Sequence, residues 1–246
     1  MNISSDQSEL ARVDILELSD SSRADLDEVA AMHLELLSFG PMAGMGRRFI
    51  REICYRGLLR TGIFRVAICR IDGQAAGFIA YTAKSSQFHR IGLTENWLGA
   101  CRETMLAIIA NPDRIRDLFR SLRVLRSRRS EPDNPPQSDG EVVCVAVRPK
   151  YLGRTMKLCS GRRVSVELIL YAAKRLSSLG VTKMRMLIDH DNKSVMLLYH
   201  SLGGEFTPFE QAGERMYRVD FGIERLLKDH GEEDSVDSSG KPGAAS

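Results

Sequence analysis

The 246-residue chain has no apolar run approaching the roughly 18 residues that a membrane-crossing helix needs, so no membrane span is expected. Its opening stretch, Met1 to Asp20, is polar and acidic, so no secretory signal is expected there. Cysteine is sparse: the five residues Cys54, Cys69, Cys101, Cys144 and Cys159 are odd in number, scattered and without Cys-x-x-Cys spacing. That excludes a disulfide scaffold and fits free thiols in a reducing, cytoplasmic compartment. His33, His89, His190, His200 and His230 show no metal-ligand spacing, so no metal is expected. A net charge of only +3 gives no basis for nucleic-acid binding. No internal repeat is visible.

What is present suits a globular α/β protein. Hydrophobic residues make up 43% of the chain, enough for a substantial core, and the length fits one domain carrying an insertion. Residues 1–10 are polar and read as a frayed terminus. Arg12 to Leu18 alternates apolar and polar residues, as a strand does. From Ala24, Leu26, Val29, Ala30, Leu34 and Leu37 recur at helical spacing. Gly40-Pro41 ends that helix, and a second is expected over Arg47–Leu59, with Phe49, Ile50, Ile53, Cys54 and Leu58 inward. Phe64–Ile71 and Gln74–Thr82 flank Asp72-Gly73, a strong hairpin signal.

Residues from about 85 to 130 read as a helical insertion, broken at Pro112, whose second half carries seven arginines (Arg114, Arg116, Arg120, Arg123, Arg126, Arg128 and Arg129). Such a run is most simply a solvated helix face; the alternative is that it lines an entrance for an anionic substrate or rests on acidic lipid. A loop follows over 130–140. The stretch 226–246 turns acidic and then rich in Ser, Gly and Ala, and reads as a disordered tail.

Val142 to Phe206 carries most of the chemistry. Val142–Val147 is a continuous β-branched run expected to be buried on both faces. Ser160-Gly161-Arg162-Arg163 leads into a helix, whose unpaired N-terminal amides and partial positive charge form an anion site. Gly180 is placed to end that helix, and Lys183–Ile188 reads as the next strand. Asp189-His-Asp-Asn192 then caps a short helix in which Val195, Leu198 and Tyr199 share a face.

These residues resemble the GNAT superfamily of acetyl-coenzyme A-dependent N-acetyltransferases. The similarity lies in Val147-x-Pro149, the basic glycine-containing turn Ser160–Ser165, Asn192-x-x-Val195-x-x-Leu198-Tyr199, and Gly204-x-Phe206, and spans about Arg12 to Asp220. The first motif departs from the family's Arg/Gln-x-x-Gly-x-Gly/Ala: Ser160, Arg163 and Ser165 occupy its signature positions, and the loop Lys150–Cys159 is longer than usual. The resemblance implies an α/β (α+β) fold in one domain over 11–222: a mixed, mostly antiparallel central sheet flanked by helices, with the helical insertion between hairpin and central strand.

For function, the resemblance implies acetyl transfer from acetyl-CoA, as co-substrate and without metal, to a primary amine by direct attack. The backbone near Val145, Ala146 and Val147 would hold the acetyl carbonyl and pantetheine arm. Ser160, Gly161, Arg162, Arg163, Val164 and Ser165 would hold the pyrophosphate, and Asn192 the amide arm. Tyr199 matches the family's general acid. The glutamate that some relatives use as base is replaced by Leu187, which leaves Glu141 as first choice and Asp189 as second. Without the motif, Tyr199 would read as a core tyrosine, Asn192 as a helix cap and Glu141 as a strand end. The expected acceptor is a small-molecule amine, with an anionic one favoured by the arginines, and a homodimer is compatible with the sequence. A catalytically degenerate GNAT-fold binding module and a protein or peptide N-acetyltransferase are the alternatives.

Overall fold

The hairpin at Asp72-Gly73 seeds the sheet. Both turn residues have positive φ, 50° and 77°, which suits the right-handed twist of the strands they join. In the computed structural model, which describes residues 13–37, 43–85, 140–152, 160–211 and 213–231, β2 (Phe64–Ile71) and β3 (Gln74–Thr82) pair antiparallel from this turn. The first strand β1 (Val13–Glu17) adds to the free edge of β2. On the other side come β4 (Gly140–Val147), β5 (Lys183–Asp189), β7 (Glu214–Gly222) and β6 (Glu205–Gln211), in the order β1-β2-β3-β4-β5-β7-β6. Among the described residues, only the β4–β5 pair is parallel. A parallel pair needs a crossover, here supplied by the helix over Val164–Ser178. The sheet is therefore mixed and mostly antiparallel, as expected.

Alternation along the strands builds two cores. One face carries Val66, Ile68, Phe78 and Ala80 against α1 (Arg23–Leu36), whose Leu26, Val29, Ala30 and Met32 are fully buried. The other carries Ala67, Cys69, Ile79 and Tyr81 against α4 (Val164–Ser178), which buries Leu168, Ile169, Ala172, Ala173 and Leu176. Gly180 ends α4 at φ +79°, with its N–H on Ser177 and the Val181 N–H on Leu176. Those two bonds satisfy carbonyls that the helix end would otherwise leave unpaired.

Four features differ from the sequence reading. The helix expected over Arg47–Leu59 begins as α2 (Arg47–Phe49) and ends as α3 (Leu58–Arg60), but Ile50–Gly57 between them is π-helical. The wider turn puts residues five apart in line, so Ile50 and Tyr55 are buried while Ile53, Cys54 and Leu58 are only half-buried. Central strand β4 is not buried throughout: Val143, Cys144 and Val145 are half-exposed. The stretch after Phe206 forms a β6–β7 hairpin; Pro208 is tolerated because β6 is an edge strand. Finally, residues 226–230, expected to belong to the tail, are helical. Helix α6 (Ile223–His230) buries Ile223 and Leu226, three apart, in the α4-side core. A short helix α5 (Lys193–Ser201) follows β5 as expected. Residues 1–10, the insertion with its arginines, the loop to residue 139, residues 153–159 and the tail beyond 231 lie outside the described residues.

Two predictions test this architecture. Gly77 lies where β3 meets β4, and a Cβ there would come within 2.6 Å of the Ala146 carbonyl oxygen. Gly77→Ala is expected to cost about 1–3 kcal/mol in urea denaturation, because a backbone atom cannot yield as a side chain can. The second concerns Glu17, which accepts hydrogen bonds from Arg175, Arg65 and Tyr81. Burial raises its pKa, but the bonds from Arg175 and Arg65 outweigh burial and leave it below the ordinary 4.5. A depressed carboxylate pKa stabilises the fold above the unfolded value and loses that contribution as pH falls. The stability gap between the wild type and Glu17→Gln should therefore narrow from about pH 6 to about pH 3; a gap that is constant across that range would remove Glu17 from the account.

Candidate active site

The site begins where two strands part. Parallel pairing of β4 with β5 covers Gly140↔Met184, Glu141↔Arg185 and Val142↔Met186 and then stops, although β4 runs on to Val147 and β5 to Asp189. On the opposite edge, β4 stays paired with β3 through Val147↔Gly77. Alternate backbone groups between Val143 and Val147 thus face an open edge with no ladder partner among the described residues. Val145, Ala146 and Val147 lie on this stretch. The β3–β4 register skips Val143, a bulge that turns both Val143 and Cys144 toward the α1 face.

The N-terminus of α4 opens on a cleft of about 560 Å³ lined by Gly161, Arg162 and Arg163, by Leu198 and Ser201 of α5, and by Lys228 and His230 of α6. Arg163 is the N-cap residue and makes no side-chain cap, so the amides of Val164, Ser165 and Val166 have no intrahelical acceptor. Gly161 sits at φ +69° with open space where a Cβ would project. Ser160 and Arg162 are tied to Glu167 of the first helical turn: the Ser160 hydroxyl donates to its Oε1, and Arg162 Nη1 lies 3.4 Å from the same oxygen. This holds the turn open without using the α4 amides. Arg163, Lys228 and His230 have no ion-pair or hydrogen-bond partner among the described residues. The cleft therefore gathers cationic side chains around a helix N-terminus, with Asp229 also in the lining and paired with Arg225 at 3.6 Å, an arrangement suited to a phosphate-bearing ligand. Lys228 and His230 fall in the stretch whose composition reads as tail; the apolar spacing of Ile223, Leu226 and Leu227 is the sequence signal for the helix that carries them.

Tyr199, on α5, is 3% exposed, with its ring edge-on to Phe221. Its hydroxyl has no hydrogen-bond partner among the described residues. Burial raises its pKa, and the Cys144 thiol of β4 adds to the effect, so the phenol stays protonated through the neutral range. A buried, unsatisfied hydroxyl costs stability and needs a reason. Asn192 is the N-cap of α5: its Oδ1 accepts the Val195 N–H at 3.3 Å. Glu141, 2% exposed, sits at the closed end of the gap, one residue before the last β4–β5 pair. Its Oε2 accepts Arg185 Nε at 3.2 Å, and Arg185 Nη2 reaches the Ser85 hydroxyl at 2.5 Å. Asp189 is exposed at the far end of β5, and its Oδ1 accepts the Asp191 N–H. The structure thus places Val145–Val147 on the open edge, Glu141 at the base of the gap, Tyr199 in the core where it senses Cys144, and Gly161, Arg162 and Arg163 in the cleft, which Ser160, Val164 and Ser165 do not line.

The sequence reading also passed over a second polar group near the gap. Tyr55 Oη lies 2.7 Å from His33 Nδ1 and 3.8 Å from Cys144 Sγ. Helical periodicity hid this contact, because the π-helical segment sets Tyr55 inward. Among the described residues no cluster of three or more His, Cys, Asp or Glu side chains could hold a metal ion.

No family model matches the chain, and no curated protein sequence matches it. Its structure is similar to that of a spermidine N-acetyltransferase SpeG chimera from Vibrio cholerae and hSSAT, at TM-score 0.52 and 12% identity, covering 87% of this chain and 98% of that one. Mutant forms of the spermidine/spermine N-acetyltransferase SpeG from Vibrio cholerae align at TM-score 0.51 and 10% identity, covering 89% and 98%. An uncharacterized protein from Bacillus halodurans aligns at TM-score 0.50 and 10% identity, covering 90% and 89%. The chain has the GNAT-like α/β fold, the architecture that its motifs led us to expect.

The Asn192 cap yields a direct test. Asn192→Ala should cost about 1 kcal/mol in urea denaturation, the usual value of a lost N-cap. A neutral substitution would show that the bond to Val195 does not hold α5.

Proposed function

We propose that the protein is a GNAT-type N-acetyltransferase that moves acetyl from acetyl-CoA to a primary amine of a small molecule. The observation that carries this reading is the β4–β5 gap, with an unpaired backbone edge on one strand and, from α5, the buried Tyr199, which senses the Cys144 thiol of that strand. Two of the similar structures are spermidine N-acetyltransferases by name, which supports a small amine as acceptor.

The pyrophosphate of the coenzyme fits the free amides of Val164 and Ser165 with Gly161 beneath them. Arg162, Arg163 and Ser160 complete the turn, Lys228 adds charge from α6, and His230 lies beside it. Asn192 keeps its NH2 group for the amide arm while its oxygen caps α5. Acetyl-CoA supplies an acyl carbon activated as a thioester. Backbone N–H groups on the open edge at Val145–Val147 hold the carbonyl oxygen and stabilise the negative charge it gains. The amine nitrogen forms the new C–N bond as the C–S bond breaks, and Tyr199 gives its phenolic proton to the departing sulfur. Glu141, held by Arg185, takes the amine's proton through water. The protein acts as a single domain and, with its scattered free thiols, in the cytoplasm.

The altered residues Ser160, Arg163 and Ser165 favour one other reading, a GNAT-fold binding module without catalysis. A thermal-shift titration with acetyl-CoA separates the two at the first step. A ligand at about 100 times its Kd stabilises the native state by about 2.7 kcal/mol, and a rise in Tm is expected. No rise at saturating acetyl-CoA would overturn the enzyme reading. Acceptors are then sought by release of free coenzyme A from a panel of spermidine, anionic amino sugars, amino acids and N-terminal peptides. Tyr199→Phe should keep the thermal shift and lower turnover about a hundredfold. Loss of the shift in that variant would make Tyr199 a packing residue instead.

A further inference from the structure

We propose that Tyr55, oriented by His33, is the hydrogen-bond acceptor that positions the acceptor's amine at the β4 gap. This rests on the acetyl-transfer reading and assigns the acceptor side of the same site.

Three observations lead here. The first is place. The bulge at Val143 turns Cys144 to the α1 face, where its thiol lies 3.8 Å from Tyr55 Oη, and Val143 to Val145 are half-exposed in the middle of a central strand. Tyr55 is itself buried, and its hydroxyl meets the partly exposed stretch of the strand at Cys144. Tyr199 belongs to the core on the opposite face of the sheet and also senses the Cys144 thiol. The gap thus has a phenol on each side. A group that protonates the departing sulfur belongs on one side of the thioester, and the incoming nitrogen approaches from another.

The second is what the phenol can offer. Tyr55 Oη lies 2.7 Å from His33 Nδ1, a short hydrogen bond. Burial pushes the His33 pKa down to about 4, so the imidazole is neutral across the neutral range and Nδ1 can accept the phenolic proton. In the tautomer with its proton on Nε2, His33 Nδ1 accepts the phenolic hydrogen, and Tyr55 then presents only acceptor lone pairs to its other neighbours. Their one further partner among the described residues is a thiol, a weak donor that an amine N–H readily replaces. A nucleophilic amine directs its lone pair at the carbonyl carbon and its N–H bonds away from it. In a desolvated site those N–H bonds need an acceptor.

The third is rigidity. The Tyr55 ring packs edge-on to Phe78 with centroids 6.0 Å apart, and Phe64 lies at 6.3 Å. His33 stacks on the same Phe78 ring at 6.4 Å. Tyr55 reaches this position because it lies in the π-helical segment, and such segments recur at functional sites.

The test combines steady-state kinetics, using the best acceptor from the amine panel, with the acetyl-CoA thermal shift. Tyr55→Phe should raise the KM for the amine about tenfold and lower kcat, with the coenzyme-induced shift unchanged. His33→Leu should do the same, because the phenolic proton is then free to turn toward the gap. His33→Gln, whose carboxamide oxygen can accept that proton, should recover much of the loss. A Tyr55→Phe variant that melts earlier but keeps wild-type KM and kcat would make the pair structural and overturn the proposal. So would a His33→Gln no better than His33→Leu. If the wild type shows no thermal shift with acetyl-CoA, the acetyl-transfer reading fails and this assignment falls with it. Wild-type turnover with an unaltered Tyr55→Phe sinks this assignment alone.

Discussion

Everything at the candidate site depends on the parting of β4 and β5 after Val142↔Met186. A parallel pair inside a sheet normally spends all its backbone groups on the ladder. Here β4 keeps β3 as a partner on one edge and loses β5 on the other, so that half of its hydrogen-bonding capacity is left for something else. The bulge at Val143 is the local expression of the same break. It bends the strand and re-aims Cys144, and with it fixes which side chains meet at the gap. A sheet that zipped fully would leave β4 no unpaired edge beyond Val142.

The crossover helix connects this gap to the cleft. Because α4 must run antiparallel to β4 and β5 to join them, its N-terminus lies at the end of the sheet where those strands diverge. The unpaired amides of one helix end and the unpaired edge of one strand are thus consequences of a single topology. Glu167 secures the turn by binding Ser160 and Arg162, which leaves the first-turn amides uncommitted. Helix α6 packs on α4 and brings Lys228 and His230 to the same opening.

Burial is used selectively around this region. Glu17 is half-enclosed but surrounded by donors, and its carboxylate is favoured. Tyr199 is enclosed without donors, and its neutral form is favoured. His33 is enclosed with one phenol and stays uncharged. Partners, more than depth, decide which groups carry charge, because desolvation penalises charge everywhere and only specific hydrogen bonds reverse it.

Local rules in the sequence determined a good deal. The Asp72-Gly73 hairpin, the inward faces of α1 and α4, the cap at Gly180 and the Asn192 start of α5 follow from φ preferences, periodicity and capping, which act over a few residues. The motif from Asn192 to Phe206 pointed to the GNAT-like architecture for a similar reason: its spacing is local. Tertiary structure alone decided the rest. Nothing in Ile50–Gly57 announces a π-helix, since the register that favours Tyr55 over Ile53 is set by packing on Phe64 and Phe78, remote in sequence. Val142–Val147 reads as a fully buried run because sequence shows side chains and not ladder partners. The loss of β5 beyond Val142 is a relation between strands about forty residues apart. Helix α6 looked like tail because its apolar residues are few, and only the groove along α4 gives them somewhere to go. The site is a set of long-range meetings, and short-range sequence patterns name the participants without saying which of them meet.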